Sequence, residues 1–128
     1  MRQIIIIGTI LFMCLTSSFS STHGSNDAQK NIQIIEVHYI SADEYVLFKN
    51  NGEETVNMEG MVLVSSSMGQ IYQFEKLFLE PGETFRLHSG PEASGLCWTY
   101  DYVHNDTTDG VLLTDKNGEY VSAYRWGR

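Results

Sequence analysis

Positive charge is scarce in this sequence. Eight Lys and Arg stand against 16 Asp and Glu, a formal net charge of −8. A surface of that sign repels phosphate backbones and lacks the basic footprint that DNA or RNA binding requires, so no nucleic-acid partner is expected. Cysteine is nearly absent, with two residues. Cys14 falls in the apolar leader described below, so Cys97 stands alone in the remainder and no internal disulfide is expected. A solitary cysteine of this kind reads as a small buried apolar residue. The four histidines, His23, His38, His88 and His104, show no pair at zinc-ligand spacing. There is no Gly-rich phosphate loop and no Gly-x-Ser-x-Gly elbow. Neither a cofactor nor a catalytic activity is expected. Sustained helical spacing is missing as well.

What remains is the composition of one globular domain. The chain has 128 residues, 42% hydrophobic and 12% aromatic, enough to bury roughly two-thirds of the unfolded surface in a single core. The first twenty residues read as a secretory signal peptide. Arg2 supplies the positive start, Ile4 to Leu15 an apolar run, and Ser18-Phe19-Ser20 a small-residue cleavage site. The run is too short to span a bilayer comfortably. Lipid attachment through Cys14 wants a small residue just before it, where Phe12-Met13 stand. Residues 21–30 are small, polar and aperiodic, and read as a flexible spacer. Residues 31–128 are expected to form the domain, secreted or held in the cell envelope, with membrane contact only through the signal peptide.

From Asn31 the rhythm changes. Short β-branched and aromatic runs alternate with turn residues: Ile32–Ile40, Glu44–Lys49, Met61–Ser65, Gln70–Phe74, Thr84–His88, Leu96–Val103, Val111–Thr114 and Glu119–Trp126. Turn chemistry every 8 to 12 residues or so predicts an all-β sandwich or barrel. Gly52 and Gly118 are candidates for the positive φ of tight hairpins, and Pro81-Gly82 fits the centre of a type II turn. In the second run Val46 and Phe48 point one way, Tyr45 and Leu47 the other. In the last run Val121 and Ala123 share one face and Tyr120, Tyr124 and Trp126 the other. The small residues suit a crowded core, which places the aromatic stripe outward.

The order of these segments resembles a known family. Glu44-Tyr45-Val46-Leu47-Phe48-Lys49-Asn50 looks like the E-Y-V-x-L-x-N strand of the lamin-tail domain. Val56 to Leu63 is similar to its V-D-L-x-G-W-x-L segment, with Met61 at the usual Trp position. Ile71-Tyr72-Gln73-Phe74 resembles Y-x-F, and Leu79-Glu80-Pro81-Gly82-Glu83-Thr84-Phe85 resembles L-x-P-G-E-x-V. Asp109 to Asp115, followed by Asn117-Gly118-Glu119-Tyr120-Val121, resembles the family's closing segment, with Asp109-Gly110 inverting its usual Gly-Asp. The resemblance implies an immunoglobulin-like β-sandwich of about seven to nine strands. It implies the exported bacterial and archaeal branch, in which the domain is typically a non-catalytic module. It carries over no catalytic or binding residues.

Two constellations are candidates for function. Trp98, Tyr100, Tyr102, Tyr120, Tyr124 and Trp126 alternate on two strands, and such a face would stack sugars or anchor a protein. Packing inside the sandwich is the plainer account of them. Asp101, Asn105, Asp106 and Asp109 supply oxygens of the kind Ca²⁺ takes, though not at EF-hand spacing, and a solvated polar loop explains them too. Asn105-Asp106-Thr107 is an N-glycosylation sequon. The sequence therefore points to an exported binding module for proteins or surface polysaccharide. A carbohydrate- or calcium-dependent envelope module and an accessory domain of a hydrolase are the alternatives. Exposed sheet edges would additionally permit strand addition or self-association.

Overall fold

The computed structural model describes residues 28–66, 69–104 and 109–127. The expected leader over residues 1–20, with Cys14, lies outside them, as do His23, Asn105 and Asp106. Ten strands form: β1 (Ile32–His38), β2 (Glu44–Asn50), β3 (Val56–Asn57), β4 (Val62–Ser65), β5 (Ile71–Gln73), β6 (Phe78–Leu79), β7 (Thr84–Ser89), β8 (Cys97–Thr99), β9 (Asp109–Thr114) and β10 (Tyr120–Trp126). Two four-stranded sheets, β1-β2-β7-β8 and β10-β9-β4-β5, enclose the core, and β3 pairs with β6 as a short ribbon. The all-β sandwich expected from the sequence is what forms. β3 and β6 are two residues each, too short to show alternation.

Strict alternation in β2 builds the centre of the core. Glu44, Val46, Phe48 and Asn50 are fully buried, while Tyr45, Leu47 and Lys49 face outward and are half-exposed. Phe48 stacks on Phe85 of β7 at 4.9 Å and meets Phe74 edge-on at 5.6 Å. Burying one such ring contributes about 2 to 3 kcal/mol. Met58 and Met61 are fully buried beside them. An unbranched thioether adapts to irregular space, so Met61 fills the seat where the resembling family places Trp.

Strand direction defines two poles. One gathers the starts of β1, β7 and β10 with the ends of β2 and β9. The other gathers the opposite ends. Polar side chains knit the first pole. Buried Asn50 donates to the carbonyls of Glu54 (2.8 Å) and Leu79 (2.9 Å) and accepts from the Gly52 amide (2.9 Å). Asp115 accepts from the amides of Asn117 and Glu119, both at 2.9 Å, closing the β9–β10 hairpin. Gly118 takes φ +83° there, as expected, and Gly82 takes φ +80° in a turn closed by Glu83 N–H to the Glu80 carbonyl. Gly52 differs from expectation. Its φ is not left-handed, and a Cβ there would sit 2.5 Å from Nδ2 of the exposed Asn31 side chain, which would have to move aside.

Three sequence expectations are corrected. The spacer expected over residues 21–30 does not extend through Lys30: Ala28 and Gln29 are helical and buried. Gln29 Nε2 donates to the Asn57 and Glu59 carbonyls, and its Oε1 accepts from the Lys116 amide. The run Leu96–Val103 yields only β8, because the Thr99 and Asp101 carbonyls both turn to the Gly90 amide and draw the chain off the sheet. From Ser122 onward the faces of β10 are reversed, whereas Val121 packs against the core and Tyr120 is exposed, as expected. Ser122 and Trp126 are buried and Tyr124 is half-buried, while Ala123 and Arg125 are exposed. Ser122 is the small residue the interior needs, since its hydroxyl accepts from Ile34 N–H where β10 lies beside β1. A bulge between Tyr120 and Ser122 turns Tyr120 out.

Candidate functional site

The second pole is organised around a buried carboxylate. Glu44 opens β2 at an inward position and is fully buried. Its Oε1 accepts from the Ser89 hydroxyl and the Val103 amide, both at 2.9 Å, and its carboxylate lies 3.4 Å from the His104 amide. These bonds offset the desolvation of a buried carboxyl group. They also fix the segment after β8 against the start of β2. His104 sits behind it, 4% exposed, between the indoles of Trp98 (6.1 Å) and Trp126 (5.6 Å). Neither of its ring nitrogens has a hydrogen-bond partner. Burial pushes its pKa down from 6.5 to about 4, against a smaller upward pull from Asp109. The imidazole is therefore neutral across the physiological range.

Three loops meet above this seat. Residues 39–43 join β1 to β2, residues 90–96 join β7 to β8, and residues 100–104 follow β8. The Gly90 amide donates to Thr99 O (3.1 Å) and Asp101 O (3.0 Å), and the Glu92 amide to Ala42 O (2.9 Å). Gly90 itself has φ +101°, and a Cβ there would lie 2.5 Å from the Ala42 carbonyl oxygen. Asp43 Oδ1 holds His88 Nδ1 at 2.7 Å, and Tyr39 stacks on Trp126 at 4.8 Å. On this braced base the loops carry Ile40 and Tyr100, each 67% exposed, and Tyr102, 57% exposed. Asp101 and Glu92 are exposed beside them.

The six aromatics expected on one face are divided. Tyr100 and Tyr102 stand exposed at this pole and Tyr120 stands exposed at the other. Trp98 and Tyr124 are half-buried against the core, and Trp126 is buried. The reason is the reversed β10: a large indole at the sandwich end fills the space between Tyr39 and His104. The calcium candidates do not converge either. Asp101 is exposed in its loop, whereas Asp109 is buried and its Oδ1 accepts from the Gly110 amide at 2.8 Å. Asn105 and Asp106 lie outside the described residues. Among the described residues no group of three or more His, Cys, Asp or Glu is placed to hold a metal ion.

Sequence reasoning treated His38 and His88 singly, and the register joins them. His38, Tyr45 and His88 form one row across β1, β2 and β7. Their rings lie 5.1 and 5.9 Å apart, and the Arg86 guanidinium covers Tyr45 at 4.3 Å. The alternation of Tyr45 against Val46 was the available signal; the cross-strand register that assembles the row is not in any local pattern. On the other sheet Ala123, Leu112, Val64 and Ile71 make an apolar row. Free Cys97 pairs with His88 in parallel register on β8. The outer edges β5 and β8 are three residues each, a length that discourages strand addition.

The family model described as Lamin Tail Domain matches residues 25–128. No curated protein matches the sequence. Among solved structures, the archaellum periplasmic stator protein complex FlaF and FlaG from Sulfolobus acidocaldarius aligns with TM-score 0.48 and 16% identity, over 75% of this chain and 88% of that one. The archaellum periplasmic stator protein FlaG from the same organism aligns with TM-score 0.48 and 15% identity, over 74% and 97%.

Proposed function

The chain belongs to the lamin tail domain family, and from that premise we propose that it is a non-catalytic, extracytoplasmic interaction module that holds a protein partner at its loop pole. The observation that carries this reading is the set of exposed Ile40, Tyr100 and Tyr102 on loops braced by backbone hydrogen bonds. Tyrosine presents a large contact area with few rotatable bonds, and loops already fixed lose little entropy on binding. Binding residues on loops over a rigid sandwich are a recurrent arrangement. The polar residues of the family motif do not compete for the role. Glu44, Asn50 and Asp115 are all buried and engaged in hydrogen bonds that close the poles. The secretory pattern of Arg2, Ile4 to Leu15 and Ser18-Phe19-Ser20 supports the extracytoplasmic assignment.

The test is site-specific photo-crosslinking of the full chain in its source cells. A crosslinking residue replaces Tyr102 in one strain and Phe78, 55% exposed on β6, in another. The reading expects one protein captured in near-equal amount from Tyr102 and absent from Phe78. Polysaccharide adducts, or equal capture from both positions, would overturn it.

A further inference from the structure

We propose that the outer face of the β10-β9-β4-β5 sheet is where two copies of this chain pack together, sheet on sheet. The loop pole takes no part in it. The register lays two rows across all four strands. One is Ala123, Leu112, Val64 and Ile71; the other is Tyr120, Thr114, Val62 and Gln73. Between them Leu113, Leu63 and Tyr72 form a row that faces the core, so both outer rows look away from it. Ile71 is 62% exposed, Tyr120 63% and Leu112 37%.

Charge sets this face apart. The chain carries −8, so two copies repel wherever their acidic surfaces meet. Asp109 is the one acidic residue in these four strands, and it is buried. Arg125, exposed near the end of β10, is the one basic residue. The strands of the other sheet differ, with Glu36 and Arg86 exposed and Lys49 half-exposed. A face without carboxylates is where copies of an acidic chain can approach at the least electrostatic cost.

The two rows are also self-complementary. A two-fold axis parallel to the strands, passing between β9 and β4, reverses the strand order and keeps each row in register. Ala123 then faces the second copy's Ile71, and Leu112 faces its Val64. Small meets large, as interdigitating sheets require. In the other row Thr114 faces Val62, and Tyr120 faces Gln73, a phenol opposite an amide with which it can hydrogen-bond. The two Arg125 side chains fall at opposite rims and do not meet. The same rims bring Glu75 near the second copy's Glu119, where Lys30, 2.8 Å from Glu119, offsets part of the repulsion.

Four strands spaced about 4.8 Å apart, with rows spanning about 15 Å, project to roughly 300 Å² per copy. A standard interface buries roughly 800 Å² per partner, so this face makes a transient pair that forms at high local concentration.

The test is sedimentation velocity on the chain purified from its source cells, from about 10 µM to about 1 mM. The mass should rise from one copy toward two and stop there. The dimer fraction should grow in about 0.5 M NaCl, which screens the repulsion between acidic chains. Ala123→Lys or Ile71→Glu alone should weaken association about 10-fold or more, because each sets an unpaired charge against an apolar face. Both together should restore it, since the axis pairs each new cation with the second copy's new carboxylate. Within one chain these positions lie on opposite edge strands, so the rescue reads contact between copies. Both side chains are exposed, so folding is retained, and circular dichroism checks it. A monomer throughout, growth beyond two copies, dimers that dissociate in salt, single variants without effect, or a folded double variant that does not recover would each overturn the inference. In the source cells a crosslinking residue at Leu112 should join two copies of this chain, and capture of a different protein there would also overturn it.

Discussion

Acidification should unfold this sandwich through one imidazole. His104 is 4% exposed between Trp98 and Trp126, and burial lowers its pKa from 6.5 to about 4. In the unfolded chain the ring binds a proton near pH 6.5. In the folded protein it stays neutral until about pH 4. Stability from this group is therefore complete above pH 6.5 and is lost as pH falls from 6.5 toward 4. At about 1.36 kcal/mol per pH unit, the loss is roughly 3 kcal/mol, a large part of the 5 to 15 kcal/mol or so typical of a domain. Urea melts at half-unit steps from pH 7.5 to 4 measure it. With a urea slope of roughly 1 to 2 kcal/mol per molar, the midpoint should fall by about 2 M. His104→Phe is the control. It removes two unpartnered nitrogens and the titration together, so it should match the native protein at pH 7 and stay flat where the native protein declines. Parallel curves for the two proteins across pH 6.5 to 4 would refute the argument. Asp115 does not confuse the window. Burial raises its pKa, but hydrogen bonds from the Glu119 and Asn117 amides and the charge of Lys30 outweigh this and leave it below 3.8. Its contribution is present above 3.8 and is lost only at lower pH.

Further outcomes follow from the same structure. Glu44→Ala strands the buried Ser89 hydroxyl and Val103 amide and should cost about 3 kcal/mol or more in urea unfolding; Glu44→Gln, which keeps an acceptor oxygen, should cost clearly less, and a change under about 1 kcal/mol for the alanine would show that the carboxylate is not holding the pole. Gly118→Ala meets open space at φ +83° and should cost about 1 kcal/mol from backbone strain alone. Gly90→Ala adds a contact 2.5 Å from the Ala42 carbonyl oxygen at φ +101°, so it should cost distinctly more and also reduce capture from Tyr102; equal thermal shifts for the two variants would contradict this.

The sequence made the fold class legible because strands of four or more residues repeat apolar side chains with period two, and the turn residues between them have their own chemistry. β2 shows this best, with Val46 and Phe48 inward as alternation requires. Where alternation was broken by a bulge, it misled. The irregularity after Tyr120 puts Tyr120 and Trp126 on opposite faces although their spacing is even. The site was less legible. Tyr100 and Tyr102 were among the candidates, but their exposure arises from Gly90 drawing the chain off β8. The inward placement of Glu44 was visible in the alternation; its acceptors' partners, Ser89 and Val103, are far apart in sequence and meet only through topology. The motif that identified the family is made of residues that fill the core and close the poles, which is why it named a fold and pointed to no binding surface.

The lateral contact between β1 and β10 has a mechanical meaning. Both strands run from the first pole to the second, side by side, joined by Ile34 N–H to Ser122 Oγ at 3.0 Å. Ala28 therefore departs at one end of the sandwich and Gly127 at the other. Tension applied between these two points runs along the strands. It loads the β1–β2 and β9–β10 ladders in shear, so their hydrogen bonds share the force instead of parting one by one. Under load this domain should behave as a stiff link, yielding late and abruptly, and a partner held at the loop end would transmit its pull through the whole length of the fold.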